Sequence, residues 1–172
     1  MKKICVVNVG SPDYLLGPLT AEKIIKAKLG NVSLISLNDD FAKENARGIG
    51  NAHGVTVVGG SDYKLLKGAD IVVIAGGEPR KPGMMRLDLI MINQKIFLEV
   101  SKKVRKNAPY ANVIVVPFGV SDSTALKCIE DTVYGFLGEP TLTVPYDIES
   151  SIYEASERAL FSVTKAMLTQ TG

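Results

Sequence analysis

The chain has 172 residues, 46% of them hydrophobic, which is enough for a single domain with a sizeable core and no linker. With 20 basic against 18 acidic residues, a net charge of +2, it lacks the concentrated positive field of a nucleic-acid binder. The apolar run after Lys2 and Lys3 ends at Val9 and is broken by Gly10, Ser11 and Pro12, too short for a signal peptide or a membrane span. The expectation is a soluble, cytoplasmic protein with neither nucleic acid nor membrane as partner.

In chain order, short β-branched apolar runs alternate with longer helical patterns. Strands are predicted at Lys3 to Val9, Asn31 to Leu37, Gly54 to Val58, Ile71 to Ala75, Asn112 to Val116 and Pro140 to Val144. Helices are predicted at Thr20 to Leu29, Asp40 to Gly48, Met84 to Asn107, Ser123 to Phe136 and Asp147 to Leu168. The third carries an apolar stripe of Ile90, Phe97, Val100 and Val104. The last carries Ile148, Ile152, Ala155, Ala159, Val163 and Met167 at helical spacing and serves as a closing helix over residues 147–170. This alternation is the signature of βαβ units, so the predicted fold class is α/β, a doubly wound Rossmann-like parallel sheet in one domain spanning residues 1–172. Ligands of such sheets lie outside the carboxyl ends of the strands, where the strand order reverses.

Two cysteines, Cys5 in a strand and Cys128 in a helix, form no metal or redox spacing and read as reduced thiols packed as small hydrophobes. No metal site and no catalytic residue is assigned.

A dinucleotide site opens with G-x-G-x-x-G between the first strand and helix, so that bare backbone reaches a pyrophosphate at the helix N-terminus. Here the segment reads VVNVGSPDYLLGPLTAEKI. Asn8 stands at the first glycine position, Gly10 at the second, and Gly17 at the third after an insertion. Asn tolerates a left-handed backbone better than most residues but adds bulk; Pro12 removes a donor, and Asp13 adds negative charge near the phosphates. Two readings stand, a phosphate loop of altered shape and a plain strand-to-helix connection. At the end of the second strand, where an acidic residue would bind the ribose hydroxyls, VSLISLNDD places Ser36, which loosens discrimination between NAD and NADP or marks a lost site. Asn38, Asp39 and Asp40 could stand in, although Asp39 or Asp40 also reads as the cap of the second helix. Gly76 and Gly77 follow the fourth strand and let backbone pass close to a nucleotide. On that reading a side chain at Gly76 would block the ligand and leave folding nearly intact.

The next segment, GGEPRKPGMMRLDLIMINQKI from Gly76 to Ile96, sets Arg80 and Arg86 around a Pro/Gly-rich turn. It resembles the active-site loop of the lactate and malate dehydrogenases, in its malate-type form. The resemblance implies that Arg80 pairs with the far carboxylate of a small dicarboxylate and that Arg86 polarises its carbonyl, tasks that suit a planar, permanently charged guanidinium. The residues alone also allow a solvated loop, with Arg80 and Lys81 in water and Arg86 paired with a carboxylate such as Asp88. The resemblance covers about residues 3 to 144 and is strongest from Gly68 to Val116. It implies NAD or NADP as cofactor and leaves room for a homodimer.

Departures from that family are as informative. Its general base is a histidine oriented by an aspartate, whereas His53, the chain's single histidine, lies in GNAHGVTVV and reads as a surface turn residue. Where the family shows Asn-Pro-Val-Asp, this chain has Pro117, Phe118, Gly119 and Val120. The expectation is therefore a family-like cofactor domain, truncated and degenerate, that binds a nucleotide or small carboxylate without complete dehydrogenase catalysis. The alternatives are an active NAD(P)-dependent malate or lactate dehydrogenase and a non-catalytic interaction module.

Overall fold

A computed structural model describes residues 1–10, 15–120, 122–138, 141–143 and 151–170. Its elements in chain order are β1 (Lys3–Gly10), α1 (Leu16–Lys26), β2 (Asn31–Ser36), α2 (Asp39–His53), β3 (Val58–Gly60), a 3-10 turn (Tyr63–Leu66), β4 (Ile71–Gly77), α3 (Arg86–Asn107), β5 (Asn112–Pro117), α4 (Ser123–Leu137), β6 (Thr141–Thr143) and α5 (Ile152–Gln170). The strands form one sheet in the order β3-β2-β1-β4-β5-β6, every pairing parallel. This is the doubly wound Rossmann order, and the chain reverses direction across the sheet between β1 and β4.

Successive strand residues point to opposite faces, and both faces are covered, which explains why the strands read as unbroken apolar runs. Cys5, Val7, Val9, Val72, Ile74, Val113 and Val115 pack under α3 and α4 with Phe97, Val104 and Ile129. Ile4, Val6, Leu34, Val73, Ile114 and Val116 pack on the other face against α1 and α5, through Leu16, Ile24, Ala155, Ala159 and Val163. The terminal helix thus closes the second face; Lys23 of α1 pairs with Glu157 of α5 and lies 3.9 Å over the Tyr153 ring. Burial pushes the Cys5 thiol up to about 11, so it stays protonated in the core.

Boundaries moved for identifiable reasons. α1 begins at Leu16 rather than Thr20, because Pro18 in a first turn forfeits no helical hydrogen bond. α2 runs to His53, past Gly48 and Gly50, and stops at Gly54, whose φ of +65° is the left-handed cap. Gly54 is therefore a helix cap and not the start of the third strand, which comes later, at Val58. The cap of α2 is neither Asp39 nor Asp40 but Asn38, whose Oδ1 accepts from the Phe41 N–H at 3.0 Å. Within the predicted sixth strand only 141–143 are described, and Asp147 and Ile148 of the predicted last helix lie outside the described residues, as do Pro12 and Asp13. No described helix is long and apolar enough to cross a membrane.

Candidate nucleotide crevice

Three glycines let the carboxyl ends of β1 and β4 meet. Gly10 has φ +83°, and a Cβ there would lie 2.2 Å from the Gly77 carbonyl oxygen. Gly76 has φ +127°, and its Cβ would lie 2.1 Å from the Val9 carbonyl oxygen. Neither distance is sterically allowed, so these glycines serve the strand pairing itself. The expectation that Gly76 could be enlarged without harm to folding is corrected by this contact. Gly77, φ +142°, faces Val120, Asn93 Oδ1 and the Phe118 carbonyl, all within about contact distance of an added Cβ.

Asn8 does not take a left-handed glycine conformation. It sits within β1, in register with Ser36 and Ala75, and among the described residues the non-glycine with positive φ is Lys28. Its buried Oδ1 accepts from the Gly17 N–H at 3.0 Å, and a Cβ on Gly17 would fall 2.6 Å from Asn8 Cβ. Gly17 thus keeps the close helix-to-strand packing of a third fingerprint glycine, from within α1. The consequence is electrostatic. Of the four N–H groups that a helix start normally presents to an anion, Gly17 supplies one to Asn8 and Pro18 has none.

At the β2 end Ser36 is buried, and its Oγ accepts from the Asn38 N–H at 3.3 Å. Asp39 is engaged elsewhere: Oδ1 accepts from the Ser61 N–H and Oγ at 2.9 and 3.1 Å, and Oδ2 pairs with Lys43 at 2.7 Å. The Lys43 partnership, joined by Ser61, holds its carboxyl below the usual range. Asn38 and Asp39 thus already hold neighbouring backbone and side-chain groups, while Asp40, the third stand-in, is exposed in the first turn of α2.

Beyond these groups a cavity of about 380 Å³ opens at the carboxyl ends of the strands, lined by Val9, Gly10, Leu37 and Glu78 and, from α3, by Ile96 and Val100. Tyr63 forms another wall; burial pushes its phenol up to about 12, and Lys103 Nζ stands 4.5 Å from its ring. The volume is that of a small-molecule pocket, and the apolar walls suit a flat ring. Sequence reasoning missed Glu78, Leu37, Tyr63, Ile96 and Val100. A charged residue placed directly after the strand-ending Gly76 and Gly77 was the available signal for Glu78.

Asn93, fully buried on the inner stripe of α3, fixes the turn out of β4. Its Oδ1 accepts from the Glu78 N–H at 2.9 Å, and its Nδ2 donates to the Glu78 carbonyl at 3.1 Å and to the Leu89 carbonyl at 3.0 Å. From there the loop leads to the two arginines. Arg80 is exposed, and its Nε donates to the Met84 carbonyl at 3.2 Å. Arg86 opens α3 and reaches α4, where its Nε lies 2.5 Å from Asp122 Oδ2 and its Nη2 donates to Thr124. Its partner is thus Asp122, while Asp88 accepts from the Met85 N–H at 3.0 Å. Asp122 also caps α4 through the Thr124 and Ala125 N–H groups, and the Ala125 bond, then Arg86, holds its carboxyl low. Phe118 donates its N–H to the Gly76 carbonyl at 2.8 Å, with its ring against the α1/α5 core.

His53, the last residue of α2, lies 2.9 Å from Glu22 Oε1 on α1. A helix that follows a parallel strand returns to the amino edge of the sheet, so His53 sits at the end opposite the crevice. Among the described residues no three His, Cys, Asp or Glu side chains converge on a metal position.

Comparison with known proteins agrees with this architecture. The family pattern described as lactate/malate dehydrogenase, NAD binding domain, matches residues 16–129. A malate dehydrogenase of Archaeoglobus fulgidus is 37% identical over 98 residues, 54% of this chain and 33% of that protein. One of Ehrlichia chaffeensis is 35% identical over 120 residues, 67% of this chain and 37% of that protein. Among solved structures, the Archaeoglobus fulgidus malate dehydrogenase in complex with NADH superimposes with a TM-score of 0.66 at 29% identity, covering 80% of this chain and 46% of that one. The chain therefore spans less than half the length of these relatives. On this match, joined to the strand order and the loop after β4, the chain belongs to the lactate/malate dehydrogenase family and corresponds to its NAD-binding domain.

Proposed function

We propose that this chain, across residues 1–172, is a nucleotide-binding domain that takes the adenosine part of an NAD-type cofactor and does not by itself complete a dehydrogenase reaction. The cavity between Leu37 and Ile96/Val100 at the reversal point carries this reading. Val9, Leu37, Ile96 and Val100 would hold the adenine, with Gly10, Gly76 and Gly77 setting the floor and Ser36 at the ribose end. When bound, the cofactor would supply hydride-transfer chemistry; the chain's residues supply binding and orientation. The Asn8–Gly17 bond makes the pyrophosphate contribution weak, so adenosine and ADP should bind with similar strength.

Oxidation of a hydroxy acid requires a group to take the hydroxyl proton, and His53 pairs with Glu22 at the wrong edge of the sheet. A substrate role for Arg80 and Arg86 requires Arg86 to exchange Asp122 and Thr124 for a ligand carboxylate. The test is a thermal-shift titration with adenosine, ADP, NAD, NADH, NADP and NADPH, followed by malate and lactate oxidation assays. A rise in melting temperature with adenosine-containing ligands and no turnover is expected. No shift with any of them would refute the nucleotide reading, and turnover would refute the non-catalytic one.

A further inference from the structure

Resting on that reading of the crevice, we infer that Glu78 is the ribose-binding residue of this chain: its carboxylate, at the end of β4, does the work of the acid missing from the end of β2, and selects NAD over NADP. Glu78 lines the same cavity as Leu37, the residue after Ser36, so the β2 and β4 ends address one ligand region. Its Oε2 is shielded from solvent and accepts no hydrogen bond from the described residues; Lys81 Nζ, at 3.8 Å, is an ion-pair neighbour beyond hydrogen-bond reach. The side chain as a whole is 21% exposed and lines the cavity, so a small turn of the carboxylate would present an acceptor to a ligand hydroxyl.

The residue is also held in place. Both its backbone polar groups are tied to the buried Asn93 amide, so the side chain projects from a fixed point. At the β2 end Ser36 accepts from the Asn38 N–H, Asn38 caps α2 and Asp39 holds Ser61 and Lys43, while Asp40 is exposed in the first turn of α2 and is not among the residues that line the cavity. A carboxylate accepts well from a ribose hydroxyl and repels a 2′-phosphate in the same place. The other charged groups lining the cavity are Lys95, Glu99 and Lys103. The two lysines would favour a phosphate, so the preference for NAD is a direct reading of Glu78 against them.

The experiment is a calorimetric titration of the wild-type chain, Glu78→Gln and Glu78→Ala with adenosine, 2′-deoxyadenosine, NAD and NADP. In wild type, adenosine should bind about fivefold tighter than 2′-deoxyadenosine and NAD about tenfold tighter than NADP. Both ratios should fall towards one in Glu78→Gln and in Glu78→Ala, and melting curves of the free variants check that each is folded. Equal ratios in wild type and variants, or a wild-type preference for NADP, would overturn the assignment while leaving the nucleotide pocket standing. Failure of adenosine and NAD to bind wild type would overturn both.

Discussion

The two ends of the crevice differ in how their polar groups are satisfied. At the start of α1 the Gly17 N–H, which a dinucleotide site would offer to phosphate, is already paired with Asn8. Beside α3 the Glu78 Oε2 accepts no hydrogen bond from the described residues, with Lys81 Nζ 3.8 Å away. One end is paired within the chain, and at the other a carboxylate lines the cavity. A family resemblance does not decay evenly, because each subsite depends on its own few polar atoms.

The largest effect expected is on the backbone contact that both ends share. Gly76→Val, or Gly10→Ala, sets a Cβ about 2 Å from a carbonyl oxygen of the neighbouring strand and should destabilise the fold by about 4 kcal/mol or more, read as loss of the cooperative melting transition. A melting temperature unchanged by either would mean that β1 and β4 do not meet as described. Phe97, fully buried under the β4 face, is a control for ordinary packing: Phe97→Ala should cost about 3–5 kcal/mol by denaturant titration.

Asn8→Ala addresses the closed end directly. Removing Oδ1 leaves the Gly17 N–H without its acceptor and should lower stability by about 1–3 kcal/mol. The freed donor should also let ADP bind tighter relative to adenosine, by roughly fivefold. If the ADP-to-adenosine ratio stays at the wild-type value, the self-paired helix start does not limit phosphate binding.

The smallest effect is expected at Asp122. Its folded carboxyl titrates below its unfolded value of about 4, so its contribution is present above that value and is lost as pH falls through the lower, folded one. Asp122→Asn should flatten the acid side of the stability profile below about pH 4, with Asp39 retaining its own share. A profile identical to wild type would show that the Arg86 pairing contributes nothing to folding, as many exposed pairs do not.

Strand number, the parallel α/β class and the closing helix were legible because periodicity and burial on two faces leave a direct mark on apolar runs such as Ile71 to Ala75. The resemblance of the loop from Gly76 to Ile96 was legible from its string of residue types. Helix ends at Leu16 and His53 were not, since Pro18, Gly48 and Gly50 read as breakers in a local view and are accommodated by position within the helix. Only the tertiary structure decided which polar groups meet. Asn8 and Gly17, Arg86 and Asp122, and Asn93 and Glu78 are 9, 36 and 15 residues apart. Composition and spacing set which face a residue takes, while hydrogen-bond partnership depends on distances of a few tenths of an ångström between elements, which no local pattern encodes.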